Sequence, residues 1–241
     1  MDTARQDSRT RDQFLLGARL FLPVAISIAA YGVVWGVLAR QAGLGVGEVA
    51  LMSGLVFAGA SQFVALELWA PGASLPIGAI VLATLIVNLR FLLMTATVRP
   101  LVAHLPLKRA LPMMGLVSDE NWAMTMAELK AGRGSAAFLM GSGVCCWLSW
   151  MISTLTGRVL GSAINDPARF GLDFAFTATF LALLLGMWRG KSDIVPWMVA
   201  AVAAMVAARL IPGNWYILIG GLVGSFAGAV IEMRMGRRNA A

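Results

Sequence analysis

Long stretches of apolar side chains, among them Leu51 to Ala60, Leu139 to Met151 and Ile194 to Ala207, constrain this chain more than any other feature. A soluble domain would have to hide them in a core beneath a polar coat. Only 13% of the 241 residues are charged against 59% hydrophobic, whereas soluble proteins carry about a quarter charged. The bilayer is the solvent that suits such runs. A spanning helix takes about 20 apolar residues, and the candidate segments are 17–39, 48–70, 75–98, 111–128, 134–157, 172–188, 194–211 and 215–233. The expected fold class is an all-α integral membrane protein, a polytopic helical bundle with broken or re-entrant helices and a possible inverted repeat.

Three segments are interrupted. Segment 48–70 contains Ala58-Gly59-Ala60-Ser61-Gln62, 75–98 carries Asn88-Leu89-Arg90, and 111–128 is split by Ser118-Asp119-Glu120-Asn121. The basic residues test how many segments cross, because Lys and Arg stay with cytoplasmic loops. Eight crossings put the loop with Arg99, Lys108 and Arg109 outside. If 48–70 and 111–128 instead dip in and return as half-helices of about 10 residues, or about 15 Å, those three join the inner loops and the two termini. Only Arg40, Arg158 and Arg169 then remain in outer loops. Six crossings plus two hairpins is the preferred topology, and eight crossings is the alternative. Residues 1–16 read as a retained cytoplasmic tail, 17–233 as a single transmembrane domain and 234–241 as a second cytoplasmic tail.

The net charge of +7 does not point to nucleic acid, because the basic residues lie between apolar runs and not on one amphipathic face. Cys145 and Cys146 are adjacent within an apolar run, without disulfide or metal-ligand spacing, and read as packing residues. Gly190-Lys191-Ser192 lacks the earlier glycine of a phosphate loop, since Leu185 stands in its place, so ATP is not expected. With one histidine, His104, and no hydrolase motif, neither an enzyme nor a metal or cofactor is expected.

Within hydrocarbon every backbone polar group needs a partner, so a glycine-rich polar break is tolerated only beside protein or a wet cavity. Gly59, Ala60, Ser61 and Gln62, with Phe63, mark such a break. The following half-helix would present free N–H groups and a positive dipole end to a carboxylate; close packing of Gly59 and Ser61 is the other reading. A guanidinium at the bilayer centre costs at least about 2.5–3.5 kcal/mol on insertion scales, so Arg90, near Asn88, must pair with Asp119, Glu120 or Asp173, or receive a substrate carboxylate. One of Asp119 and Glu120 can cap a half-helix starting near Asn121. The other can face a cavity, where a carboxylate takes up and releases protons. Asp173 is either a cap or a coupling group. Phe174 and Thr177 sit in a run of Phe, small residues and hydroxyls like that of 57–63, which suggests paired sites in two halves. Gly220, Gly224 and Gly228 form a ladder for close helix packing.

Glu48 to Phe63, Val87 to Met94, Asp119-Glu-Asn-Trp122 and Leu172 to Thr177 resemble, in order and spacing, the AzlC family of branched-chain amino acid permeases. The resemblance implies a bacterial inner-membrane exporter of branched-chain amino acids, working with a small AzlD-type membrane protein. It places the family's motif positions at Gly59, Ser61, Gln62, Asn88, Arg90, Asp119, Glu120, Asp173 and Phe174. Where the family often has His after Asn-Leu-Arg, this chain has Phe91. A proton-coupled secondary transporter is the expected function; a passive channel or a structural subunit of a membrane complex is the alternative.

Overall fold

The computed structural model describes residues 2–69, 75–161, 190–211 and 215–239, with the isolated positions 181, 185 and 188. Among these every regular element is helical. Helix α1 (Asp2–Gln41) and helix α7 (Ala136–Leu160) form the central pair. Between them come α2 (Val46–Leu51), which widens into a π-helical turn over Met52–Val56, then α3 (Gly59–Glu67), α4 (Ile77–Val102), α5 (Leu107–Gly115) and α6 (Asp119–Lys130). Helices α8 (Ile194–Leu210) and α9 (Trp215–Asn239) close the chain. The polar residues read as an N-terminal tail continue α1 as helix. Segment 172–188, and with it Asp173, Phe174, Phe176 and Thr177, lies outside the described residues apart from positions 181, 185 and 188.

Helices α1 and α7 run parallel, and glycine sets how close they come. A Cβ on Gly17 would lie against the Phe138 carbonyl, on Gly36 against that of Thr154, and on Gly157 against that of Val33, all under 2.5 Å. Such contact of backbone on backbone is how helices associate where lipid supplies no hydrophobic drive. The register is confirmed by Ser149, whose hydroxyl donates to the Ala25 carbonyl at 2.8 Å. The expected ladder works in the same way between the antiparallel α8 and α9. A Cβ on Gly220 would meet Ala204 at 2.9 Å, and one on Gly224 would meet Ala200 at 2.5 Å.

Helix α4 is antiparallel to α7. Val98 clusters with Leu139 near the start of α7, while Arg90 reaches Asp119, next to Ser118, whose hydroxyl contacts the Cys146 sulfur. Against this frame both interrupted segments fold as hairpins. The first enters beside the C-terminal end of α7, where Arg158 Nε donates to the Leu44 carbonyl. It descends until Trp147 Nε1 donates to the Gly54 carbonyl, turns at Phe57-Ala58, and climbs back until Val64 and Leu68 pack on Ala83. The second enters from the opposite end. It turns at Leu116 to Ser118 beside Gly143, then returns with Trp122 packed near Val98 and Leu139.

Among the described residues four helical stretches, 9–41, 77–102, 136–160 and 191–210, are long and apolar enough to cross a membrane. Neither hairpin arm is, which agrees with two segments that return to the side they entered.

Candidate functional site

Both turns lie in the middle of the α1–α7 frame, and each is held by one amide side chain. In the first, Phe57 adopts a left-handed conformation (φ 44°, ψ 46°), and Ala58 follows it at φ −140°, ψ 85°. Such a φ is uncommon for a bulky residue and persists only where surroundings enforce it. Gln62 enforces it here. Its Oε1 accepts the Ala58 N–H at 3.3 Å and the Trp150 indole N–H at 3.0 Å, while its Nε2 donates to Ser53 Oγ at 3.3 Å. Asn121 does the same in the second turn, where its Oδ1 accepts the Ser118 N–H at 2.8 Å and its Nδ2 donates to the Leu116 carbonyl at 2.7 Å. Ser118 Oγ accepts the Asn121 N–H in return, which completes a capping box.

The capping expectation is corrected by this geometry. Helix α6 starts at Asp119 with Ser118 as its cap, so neither Asp119 nor Glu120 is used for capping. Lying in the first turn, both flank the helix end and border the same space, although adjacent residues do not share a helical face.

That space is a cavity of about 440 Å³ between α1, the two turns, α4 and α7. Its polar side comprises Arg90, Asp119, Glu120 and the start of α3 at Gly59 and Ala60. The first-turn amides of a helix have no intrahelical acceptor and carry the positive end of its dipole. Gly59 eases packing at this point, since a Cβ there would come 3.2 Å from the Trp150 indole, close enough that the ring would have to shift. The apolar side comprises Val24, Ile28, Tyr31, Phe57, Phe91 and Trp150. Arg90 Nη2 pairs with Asp119 Oδ2 at 3.0 Å, so of the two foreseen partners among the described residues, Asp119 and Glu120, it is Asp119 that is engaged. Cys146, buried in the core, also borders the cavity.

The expected site residues therefore divide. Gly59, Ala60, Arg90, Asp119 and Glu120 surround one cavity. Ser61 and Gln62 are buried behind it; the Ser61 hydroxyl donates to the Ala58 carbonyl at 2.9 Å. Phe63 is fully buried and packs on Tyr31, with ring centroids 4.8 Å apart. Asn88 does not line the cavity, and its Oδ1 is buried without a partner among the described residues. Tyr31 and Trp150 were not foreseen. An isolated Tyr in an apolar helix gives no signal until its neighbours in space are known.

The sequence profile of the family described as "AzlC protein" matches residues 23–164. The chain is 30% identical over 202 residues to "Inner membrane protein YgaZ" of Escherichia coli, covering 81% of this chain and 79% of that protein. It is 25% identical over 213 residues to "Branched-chain amino acid transport protein AzlC" of Bacillus subtilis, covering 86% and 82%. It is also 26% identical over 213 residues to an "Uncharacterized membrane protein" of Helicobacter pylori, covering 86% and 91%. No solved structure matches at a significant level.

Proposed function

The chain belongs to the AzlC family, and on that premise we propose that it is a secondary transporter that exports branched-chain amino acids by alternating access. The cavity carries this reading. A zwitterion with an aliphatic side chain needs an anion site, a cation site and an apolar wall, and groups chemically suited to each border the same 440 Å³. The α3 N-terminal amides and Arg90 take the carboxylate. Glu120 takes the ammonium and, when substrate leaves, the coupling proton; Asp119 is committed to Arg90. Val24, Ile28, Phe57 and Trp150 cover the side chain, at about 0.8 kcal/mol per buried methylene.

The printed names of the Escherichia coli and Bacillus subtilis relatives support an inner-membrane setting and a branched-chain substrate. Residues 17–233 act as one multi-pass domain, and both tails are cytoplasmic by the distribution of Lys and Arg. A small AzlD-type membrane protein completes the exporter, as the family resemblance implies.

The test is efflux of labelled valine from loaded vesicles containing both proteins. Arg90→Ala is expected to abolish it, because Asp119 is then left uncompensated in the cavity. Efflux at the wild-type rate would remove the site. Efflux indifferent to collapse of the proton gradient would remove the coupling.

A further inference from the structure

Two donors bordering the cavity have no acceptor among the described residues. Tyr31 Oη and Arg90 Nε are both buried without a hydrogen-bond partner, and both residues line the cavity. Buried donors are normally paired, and one that is not calls for a missing partner. Two around one space call for the same partner. Rotation does not relieve Tyr31, whose ring is held between Phe63, at a centroid distance of 4.8 Å, and Trp150, at 6.2 Å. Trp150 is in turn fixed by Gln62. Nor do the described residues supply the acceptor: Glu120 is near enough to act electrostatically on the Tyr31 hydroxyl but is not hydrogen-bonded to it. Asp119 engages the Nη2 end of Arg90 and leaves Nε over.

We infer that Tyr31 Oη and Arg90 Nε form a carboxylate subsite, in which the anionic end of the transported amino acid accepts a hydrogen bond from each. The inference rests on the transport reading above and adds to it a residue that none of the expected site positions includes. The subsite therefore selects amino acids over amines of the same carbon skeleton, which would offer it no acceptor.

The experiment uses the full chain with its partner in lipid nanodiscs, titrated with valine and with isobutylamine, which is valine without its carboxylate. Tyr31→Phe keeps the ring packing and removes only the hydroxyl. It is expected to weaken valine binding about tenfold, or about 1.4 kcal/mol, and to leave isobutylamine unchanged. Equal losses for both ligands, or no loss for valine, would overturn the subsite. Where the amine binds neither protein, a tenfold loss for valine with an unchanged melting temperature of the empty protein carries the proposal, and its absence overturns it. Glu120→Gln separates the two levels. If it weakens valine while Tyr31→Phe does not, only the subsite falls. If both variants bind valine as the wild type does, the transport reading falls with it.

Discussion

Replacing Gln62 by Leu tests whether the first turn is held by that amide or whether Gln62 is free to serve a ligand. The substitution nearly conserves volume, so packing changes little, and what is lost is one acceptor and one donor. Losing the acceptor orphans the Ala58 N–H and the Trp150 indole N–H, on residues only 3% and 4% exposed. A buried donor left unsatisfied costs about 1–3 kcal/mol, so the pair costs about 2–6 kcal/mol. Measurements of polar contacts between membrane helices average about 0.6 kcal/mol, which favours the lower part of that range. Ser53→Ala is the internal control, since it removes only the 3.3 Å bond from Nε2 and should cost about 1 kcal/mol. The assay is reversible unfolding of the purified protein in mixed micelles, with and without valine. Gln62→Leu should lose at least twice as much stability as Ser53→Ala. A variant as stable as the wild type that no longer responds to valine would refute this reasoning and return Gln62 to the role of ligand.

Two further outcomes follow from the frame and the hairpins. With Cys145 and Cys146 replaced, single cysteines at Gly45 and Trp69 should react with a membrane-impermeant maleimide from one side, and cysteines at Pro106 and Gly132 from the other; opposite sidedness within either pair would mean a full crossing. Gly36→Leu should prevent accumulation of folded protein, because even a Cβ there collides with the backbone of α7. Wild-type yield on a fluorescence size-exclusion profile would contradict the seam.

The spans were legible because lipid imposes a length on them, and the breaks because glycine and polar residues at that depth need a reason. The position of the first break was less so. It falls at Phe57-Ala58, just ahead of Gly59, since a left-handed residue is expected to be glycine and here Gln62 forces a phenylalanine into that conformation. For the same reason the polar residues after the break misled. Ser61 and Gln62 are the most ligand-like side chains in the sequence, yet both are spent on the Ala58 backbone. The acids misled in the opposite way, with Asp119 and Glu120 left free of capping by Ser118 and Asn121. The likeness seen between 57–63 and the run from Leu172 falls on residues outside those described. The described likeness is between 46–67 and 107–130, which share a reach-back amide and almost no residue pattern, and so could not be read from composition.

The seam between α1 and α7 has a mechanical consequence. Where carbonyl and Cα meet with no side chain between them, there is no cushion on which one rod can slide past the other. At Gly17, Gly36 and Gly157 the facing peptides leave no room even for a Cβ. This pair is therefore expected to move, if it moves at all, as one rigid piece.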